Sequence, residues 1–238
     1  MASPLVLHTV VAPVFGTNCY VLASAGGECV VVDAGAGTAQ AVATVVHGHG
    51  LAPIAVLATH GHVDHTWDAA AVCDEFDVPL LLHEADAYRI DDPFGSLGLG
   101  TADGSTSGPL AQALRGMGID PRSYRAPGRV VTFATRPGVV GDLGLRSLEI
   151  GLLHGPGHTE GSTFYLVALE GGPAVLTGDV LFAGTIGRTD LPGGDAGLMA
   201  RTLRDVVPLV DADARVFPGH GPATSIAAER RSNPFLAG

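Results

Sequence analysis

The chain has 238 residues, of which 46% are hydrophobic, so it is long enough to bury a sizeable core. Its formal charge is −11, because 24 carboxylates face 13 arginines and there is no lysine. Nucleic-acid binding needs clustered basic residues, and the only adjacent pair is Arg230-Arg231, so we expect no nucleic-acid partner. Residues 1–15 have no basic segment and contain two prolines, which predicts neither a signal peptide nor a membrane span. A cytoplasmic location is therefore expected.

Short runs rich in Val and Leu, bounded by Gly, Pro or Asn, predict strands in the first half of the chain. A helix is predicted over residues 38–47, where apolar residues recur at helical spacing before two glycines, and another over 67–76. The predicted strands of this half are 5–11, 19–23, 29–32, 54–58 and 79–82.

Residues 90–127 lose this periodicity because glycines recur through the segment, with one short helix predicted around 110–117. A long loop in a compact domain usually has a function, which favours a lid over a site; a disordered insert is the alternative.

The second half repeats the pattern of the first. It predicts strands at 130–133, 145–152, 163–168, 174–176 and 215–217. A helix is predicted over 196–207 behind a cap at Asp195, and a terminal helix over 224–231. No linker separates the halves, so we expect a single domain over 1–238 in which two sheets pack face to face with helices outside.

Three cysteines, Cys19, Cys29 and Cys73, are unevenly spaced and form no CxxC pair. A disulfide framework is therefore not expected, and we interpret them as small buried hydrophobic residues.

The segment from Thr59 to Thr66 contains three imidazoles and a carboxylate: His60, His62, Asp64 and His65. Nitrogen and oxygen donors without a thiolate favour a catalytic metal site. His60 and His62 project to one side of an extended segment, whereas the adjacent Asp64 and His65 must point differently, so one loop can supply two metals. The loop follows a predicted strand, at the carboxyl end where open α/β folds place their sites.

Three more candidate ligands lie downstream, each after a predicted strand and each beside glycine, which permits close backbone approach. They are His158, Asp179 and His220. Taken singly they are weak signals, but together with the histidine-rich loop they indicate a metal centre.

This order of motifs, HxHxDH followed by His, Gly-Asp and Gly-His over residues 33–220, resembles that of metallo-β-lactamase-fold hydrolases, specifically the glyoxalase II-like group of hydroxyacylglutathione hydrolases. The resemblance implies an α/β (α+β) fold, a four-layer αββα sandwich of two mixed β-sheets with helices on the outer faces. Further matches are Val31-Val32-Asp33-Ala34-Gly35 and Gly178-Asp179-Val180-Leu181-Phe182. The ending over residues 229–236 also matches and resembles that of the small bacterial members.

The resemblance also implies the ligand sets. The first metal would bind His60, His62 and His158, and the second would bind Asp64, His65 and His220. Asp179 would bridge the two ions, and Asp33 would brace the ligand loops. The expected cofactors are two divalent transition metals, zinc first, with iron or manganese as alternatives.

Two such ions about 3.5–4 Å apart share a water whose pKa falls toward about 7, which provides a bridging hydroxide at neutral pH. Asp64 would orient that hydroxide. A thiol with a pKa near about 8.5 can leave as thiolate, whereas an amine must be protonated, and no additional acid is obvious. We therefore expect hydrolysis of a 2-hydroxyacyl thioester of a small cellular thiol. Relatives that open β-lactams commonly have Cys at the position of Asp179.

The sequence departs from larger glyoxalase II enzymes after His220, where little follows, so we expect no counterpart of their helical C-terminal extension. Their glutathione-contacting Lys and Tyr correspond to Arg188 and Asp190. Arg188 is either a clamp for a substrate carboxylate or the partner of Asp190 in an ion pair. The thiol is open between glutathione, mycothiol, bacillithiol and another carrier.

Other functions use the same residues. A related group of persulfide dioxygenases would bind a single iron at His60, His158 and Asp179. A lactonase reading is compatible with the ligands, a nuclease is disfavoured by the acidic charge, and a metal-binding scaffold without activity is disfavoured by the intact ligand set. The expected partner is a small-molecule thioester, with no membrane and with the oligomeric state open.

Overall fold

The computed structural model describes residues 3–98, 108–145 and 147–236. The first sheet has six strands and is mixed, because the first three pair antiparallel with their neighbours, whereas the third to the sixth pair in parallel. In both chain order and spatial order its strands are β1 (Val6–Val11), β2 (Asn18–Ala23), β3 (Glu28–Val32), β4 (Ala52–Leu57), β5 (Leu80–His83) and β6 (Val130–Phe133).

The second half of the chain forms β7 (Gly141–Asp142), β8 (Gly151–His154), β9 (Thr163–Leu169), β10 (Gly172–Gly178), β11 (Leu181–Phe182), β12 (Thr185–Ile186), β13 (Arg215–Pro218) and β14 (Thr224–Ser225). The second sheet has the order β14-β13-β10-β9-β8-β7, while β11 and β12 form a separate hairpin. Among its described strands only β10 and β13 pair in parallel, so it is also a mixed sheet.

The helices in the described residues are α1 (Ala39–Gly48), α2 (Val63–Thr66), α3 (Ala69–Phe76), α4 (Ala87–Asp91), α5 (Pro109–Gly116), α6 (Ala196–Arg201) and α7 (Ile226–Ser232). Asp195 caps α6 as predicted, because its Oδ1 accepts from Leu198 N at 2.7 Å. The helix then continues as a π-helix over Thr202–Val206 and a 3₁₀ turn over Val207–Leu209. Within these ranges, no helix has the length and apolar character needed to cross a bilayer.

Three apolar clusters define the layers. Leu22 and Leu57 of the first sheet pack with Tyr165 and Leu176 of the second, and each buried leucine contributes about 1.5–3 kcal/mol. The other face of the first sheet packs on α1 and α3, and the other face of the second packs on the α6 segment and α7. The predicted four-layer αββα sandwich of two mixed sheets is therefore confirmed.

The strand predicted over 145–152 is largely wrong, because β8 begins only at Gly151. Leu148 N donates to Leu145 O in a turn, while Leu148 itself is buried between the sheets. Buried apolar residues in a turn thus imitate the pattern of a buried strand. The last helix also begins later than predicted, because residues 224 and 225 pair as β14 and Ser225 caps α7.

The segment 90–127 contains more structure than predicted. Phe94, Leu97 and Leu114 pack on Trp67 and Val63 in a fourth apolar cluster beside the histidine-rich loop. The predicted short helix is present as α5. Residues 99–107 lie outside the described residues, so a lid stays a prediction.

Candidate metal centre

The histidine-rich loop starts where β4 ends. The Tyr165 hydroxyl, buried between the sheets, donates to Ala58 O at 2.7 Å and fixes the chain at that point. His60 and His62 lie in the loop, whereas Asp64 and His65 belong to the first turn of α2. The change from loop to helix gives the two pairs different partners: His62 meets His158, whereas Asp64 and His65 meet His220. The His60 and His65 rings nevertheless lie 4.2 Å apart, so the two groups adjoin.

The other three candidate ligands come from the second sheet. His158 follows β8, Asp179 follows β10 and His220 follows β13. Because β10 and β13 are parallel, Asp179 and His220 leave the sheet at the same edge, where Gly219 N also donates to Gly178 O at 2.8 Å. Both sheets thus deliver ligands to one edge of the sandwich.

One group of nitrogens forms around His62. Its Nδ1 lies 3.1 Å from His60 Nε2 and 2.9 Å from His158 Nε2. All three side chains are at least 95% buried. The three nitrogens are close enough to bind one ion.

A second group forms around His220. Its Nε2 lies 3.2 Å from His65 Nε2 and 3.3 Å from Asp64 Oδ2. Asp64 and His220 keep 24% and 27% of their side-chain surface exposed, whereas His65 is fully buried. These three groups are also close enough to bind one ion, on the more open side of the centre.

Asp179 lies between the two groups. Its Oδ1 is 3.3 Å from His65 Nε2, and its Oδ2 is 3.7 Å from His158 Nε2 and 3.5 Å from His220 Nε2. Oδ1 is buried and accepts no hydrogen bond within the described residues. A buried carboxylate oxygen without a donor fits a position that a metal ion occupies. The structure therefore brings all seven predicted ligands together.

The outer nitrogens of four histidines are held by acceptors. His158 Nδ1 donates to Arg188 O at 2.8 Å and His220 Nδ1 donates to Phe15 O at 3.1 Å, so both rings present an unprotonated Nε2 inward when neutral. His60 Nδ1 lies 3.1 Å from Thr59 Oγ1, and His65 Nδ1 lies 3.0 Å from Asp33 Oδ2. Such contacts fix the tautomer and orientation of metal-binding imidazoles.

Asp33 connects the two parts of this loop. Besides His65, its carboxylate accepts from Thr59 N at 2.7 Å and from Thr59 Oγ1 at 2.8 Å. The residue has a φ of 57°, a left-handed conformation that Asp tolerates better than most residues. This geometry is compatible with the bracing role that the resemblance implies.

The electrostatics also fit a metal centre. Burial, then neighbouring imidazoles, lower the pKa of His60 well below its usual value, and burial lowers the pKa of His62 to about 3, so both rings are neutral donors. Burial also opposes a charge on His65, but the carboxylates of Asp179, Asp33 and Asp64 outweigh it and raise its pKa well above 6.5. The carboxylates thus favour positive charge at this point, which a divalent cation would supply.

Arg188 is part of an ion pair at the surface. Its Nε and Nη2 donate to Asp190 Oδ1 and Oδ2, each at 2.7 Å, and both side chains are more than half exposed. Of the two roles considered for the Arg188 side chain, the structure therefore contains the ion pair with Asp190. Its backbone carbonyl, rather than its side chain, contacts a ligand.

Some contacts had no usable sequence signal. The Phe15 carbonyl supports His220 across 205 positions, and a backbone carbonyl has no residue-type signature. Thr59, which supports His60, does have a signal, because it directly precedes that histidine in the motif. Asp86 and Arg89 bond to two ligand loops. They form an i,i+3 ion pair, but no motif in the sequence marks these two residues as part of the site.

Comparison with known proteins is consistent with this geometry. Residues 12–220 match the Metallo-beta-lactamase superfamily, and the chain belongs to that superfamily. Protein Rv2581c of Mycobacterium tuberculosis is 39% identical over 95% of this chain and 96% of its own length. The probable metallo-hydrolase YqgX of Bacillus subtilis is 31% identical, with 93% and 92% covered. Hydroxyacylglutathione hydrolase GloC of Haemophilus influenzae is 28% identical, with 93% of each covered.

Solved structures share the fold over nearly the whole chain. The B3 metallo-beta-lactamase BLEG-1 is 30% identical with a TM-score of 0.76, over 98% of this chain and all of that one. TTHA1623 in a di-iron-bound form is 30% identical with a TM-score of 0.71, over 96% and 100%. ETHE1 from Myxococcus xanthus has the same fold at 22% identity and a TM-score of 0.67, over 98% and 84%.

Proposed function

We propose that this protein is a metal-dependent thioesterase that hydrolyses 2-hydroxyacyl thioesters of a low-molecular-weight thiol. The observation that supports it most is the position of Asp179, whose two carboxylate oxygens lie within 3.3–3.7 Å of imidazole nitrogens from both ligand groups. A carboxylate between two sets of three donors is suited to two ions that share it.

The residues present fit two divalent ions. His60, His62 and His158 would hold one, Asp64, His65 and His220 the other, with Asp179 shared. Nitrogen and carboxylate donors without thiolate suit zinc, iron or manganese. When bound, such ions supply a hydroxide at neutral pH and fixed positive charge for a developing oxyanion. The di-iron form of TTHA1623 supports two ions in a fold of this type.

The chain's own residues determine how a substrate reaches the centre. Asp64 and His220 are the exposed members, so a carbonyl group is expected to approach from their side. The Phe182 ring lies 6.4 Å from the His220 ring there, and Phe15, with 38% of its surface exposed, contributes the carbonyl that holds His220. Asp64 can orient the attacking oxygen, while the buried His60 and His62 remain fixed by their surroundings.

The leaving group favours a thioester. A thiol with a pKa near about 8.5 departs as thiolate, and none of the site carboxylates needs to deliver a proton. Burial opposes ionisation of Asp64 and Asp179, but His65 outweighs it and lowers the pKa of both below 3.8. Neither is suited to donate a proton to an amine at neutral pH. The resemblance to GloC, a hydroxyacylglutathione hydrolase, supports the same substrate class.

Hydrolysis of β-lactams is the second candidate, because BLEG-1 is named a B3 metallo-beta-lactamase and shares 30% identity over the whole of its chain. That reaction opens a ring by breaking a C–N bond, and the nitrogen, which stays in the same product, must gain a proton that the ionised carboxylates of Asp64 and Asp179 do not hold. We therefore rank it below thioester hydrolysis.

The test is a comparison of substrates with one preparation of zinc- or iron-loaded protein. We expect turnover of a 2-hydroxyacyl thioester of glutathione, and faster turnover where another thiol is the natural carrier. A chromogenic cephalosporin and oxygen uptake with glutathione persulfide are the competing assays. Turnover of either competing substrate without thioester hydrolysis would overturn the proposal.

A further inference from the structure

Asp86 and Arg89 form a fully buried charged pair beside the metal centre. Both side chains have 0% exposure, and Arg89 Nε lies 3.3 Å from Asp86 Oδ1. Asp86 ends a 3₁₀ turn and Arg89 lies in α4, one turn later. Arginine is almost never fully buried, because removing its charge from water costs several kcal/mol unless close partners compensate. The partners therefore indicate what the pair does.

The Asp86 carboxylate binds both loops that supply the first ligand group. Oδ2 accepts from Gly61 N at 2.8 Å, and Gly61 stands between His60 and His62. Oδ2 also accepts from Thr159 Oγ1 at 2.7 Å, and Oδ1 accepts from Gly161 N at 2.9 Å. Thr159 directly follows His158. One carboxylate thus connects a loop from the first sheet to a loop from the second.

Both loops approach the pair without intervening side chains. A Cβ at Gly61 would lie 2.8 Å from Asp86 O and 2.9 Å from Arg89 Cβ. A Cβ at Gly161 would lie 2.6 Å from Asp86 Cγ. These separations exclude any other residue without displacement of the loop, so the pair sets the distance between the loops.

Arg89 extends the connection to the segments around the centre. Its Nη2 lies 2.5 Å from Glu160 Oε2 and donates to Pro192 O at 3.0 Å, while Nη1 donates to Ser96 O at 3.3 Å. Pro192 follows the loop of Arg188, whose carbonyl holds His158. The planar guanidinium therefore joins three segments in a fixed geometry.

We infer that Asp86 and Arg89 are positioning residues that hold the 60–62 and 158–161 loops at the separation at which three imidazole nitrogens converge. They do not contact the ligand nitrogens themselves. The inference rests on the metal centre of the proposed function. It is specific to the first group, because the second is supported elsewhere, His65 by Asp33 and His220 by the Phe15 carbonyl.

The test is zinc binding by Asp86→Asn, measured by competition with a chromogenic chelator at a temperature where circular dichroism shows each variant folded. In Asn the amide nitrogen replaces one carboxylate oxygen, so a donor faces other donors. Depending on the orientation of the amide, these are Gly61 N and Thr159 Oγ1 or Gly161 N and Arg89 Nε. A reference variant, His62→Ala, identifies the ion bound by the first group as the one whose binding is lost. We expect Asp86→Asn to lower the affinity for that ion about 10- to 100-fold. The other ion should keep its affinity within about threefold. Arg89→Lys, which retains the charge but not the fork, should shift the same ion in the same direction.

The matched control is Glu229→Gln, a buried carboxylate with three donors that lie outside the metal centre: Gly184 N, Thr224 Oγ1 and Asn233 Nδ2. It should lower the melting temperature without changing either zinc affinity. Unchanged zinc binding in Asp86→Asn, or equal weakening of both ions in proportion to lost stability, would overturn the inference.

Failure of the proposed function gives a different result. If wild-type protein binds zinc only at the group of His60, His62 and His158, the two-ion chemistry is ruled out. The role of Asp86 is then still tested by the zinc affinity of that one group. Wild-type protein that binds none of zinc, iron and manganese overturns both.

Discussion

Asp33 Oδ2 lies 3.0 Å from His65 Nδ1, and both side chains are at most 1% exposed. The same carboxylate accepts two hydrogen bonds from Thr59. Asp33, which directly follows β3, therefore orients both ends of the histidine-rich loop. We expect Asp33→Asn to lower metal affinity and thioesterase activity about 10- to 100-fold, as is typical when an imidazole loses its outer acceptor. The metal retained after dialysis measures the loss of affinity, and kcat/KM measures the loss of activity. Asp211→Asn, at an exposed carboxylate, is the control, and equal behaviour of the two variants would contradict the assignment.

A second prediction concerns Asp179 and His83. Asp179→Ala removes the carboxylate shared by both ligand groups, so we expect loss of activity by at least about 100-fold and weaker binding of both ions. His83→Ala should leave activity within about threefold, because His83 stacks on His154 at 4.1 Å rather than contacting a ligand. Steady-state rates and bound metal per chain measure both. Equal losses in the two variants would remove the shared role of Asp179.

The third prediction separates the two interpretations of Arg188. If its side chain leaves Asp190 to bind a substrate carboxylate, Arg188→Ala raises KM about 10-fold with little change in kcat. Asp190→Asn, which frees the guanidinium, should then lower KM. Because both side chains are exposed, neither change should alter the melting temperature measurably. An unchanged KM in both variants would restrict Arg188 to the ion pair and its backbone contact.

Much of the fold could be predicted from sequence, because strands such as β2 and β3 are short apolar runs with clear boundaries. The seven ligand positions could be predicted because their residue types and glycine neighbours are distinctive. The turn at Leu145 and Leu148 could not, since burial between the sheets gives a turn the composition of a strand. The support of His220 by Phe15 could not either, because it uses a backbone atom. The role of Asp86 and Arg89 could not be predicted, because the sequence does not show which loops meet at this pair.

The cysteine prediction depends on burial. All three thiols are free and buried, and burial raises the pKa of Cys29 and of Cys73 to about 12 and that of Cys19 further. At pH 8 a thiol with a pKa of about 12 is about 0.01% thiolate, which is the nucleophilic form. We expect negligible reaction with a thiol-specific disulfide reagent in native protein and three reactive thiols after denaturation. A thiol that reacts within minutes in the native state would contradict this.

The fifth prediction concerns stability. Asp77 ends α3 with a φ of 50°, and its side chain is 97% exposed. Asp77→Gly should raise the free energy of unfolding by about 0.5–1 kcal/mol, because glycine adopts this conformation without a Cβ penalty. Ala71→Gly, at an exposed position inside the same helix, should lower it by about 1 kcal/mol. Urea denaturation measures both. Destabilisation by Asp77→Gly would show that other contacts of Asp77 outweigh its backbone strain.

The most direct test of the proposed centre is anomalous scattering from crystals of the metal-loaded protein, combined with elemental analysis of the same preparation. We predict two ions per chain, about 3.5–4 Å apart, with Asp179 contacting both. One ion bound by His60, His158 and Asp179 alone, with His220 and Asp64 free, would contradict the two-ion centre and favour a mononuclear iron enzyme.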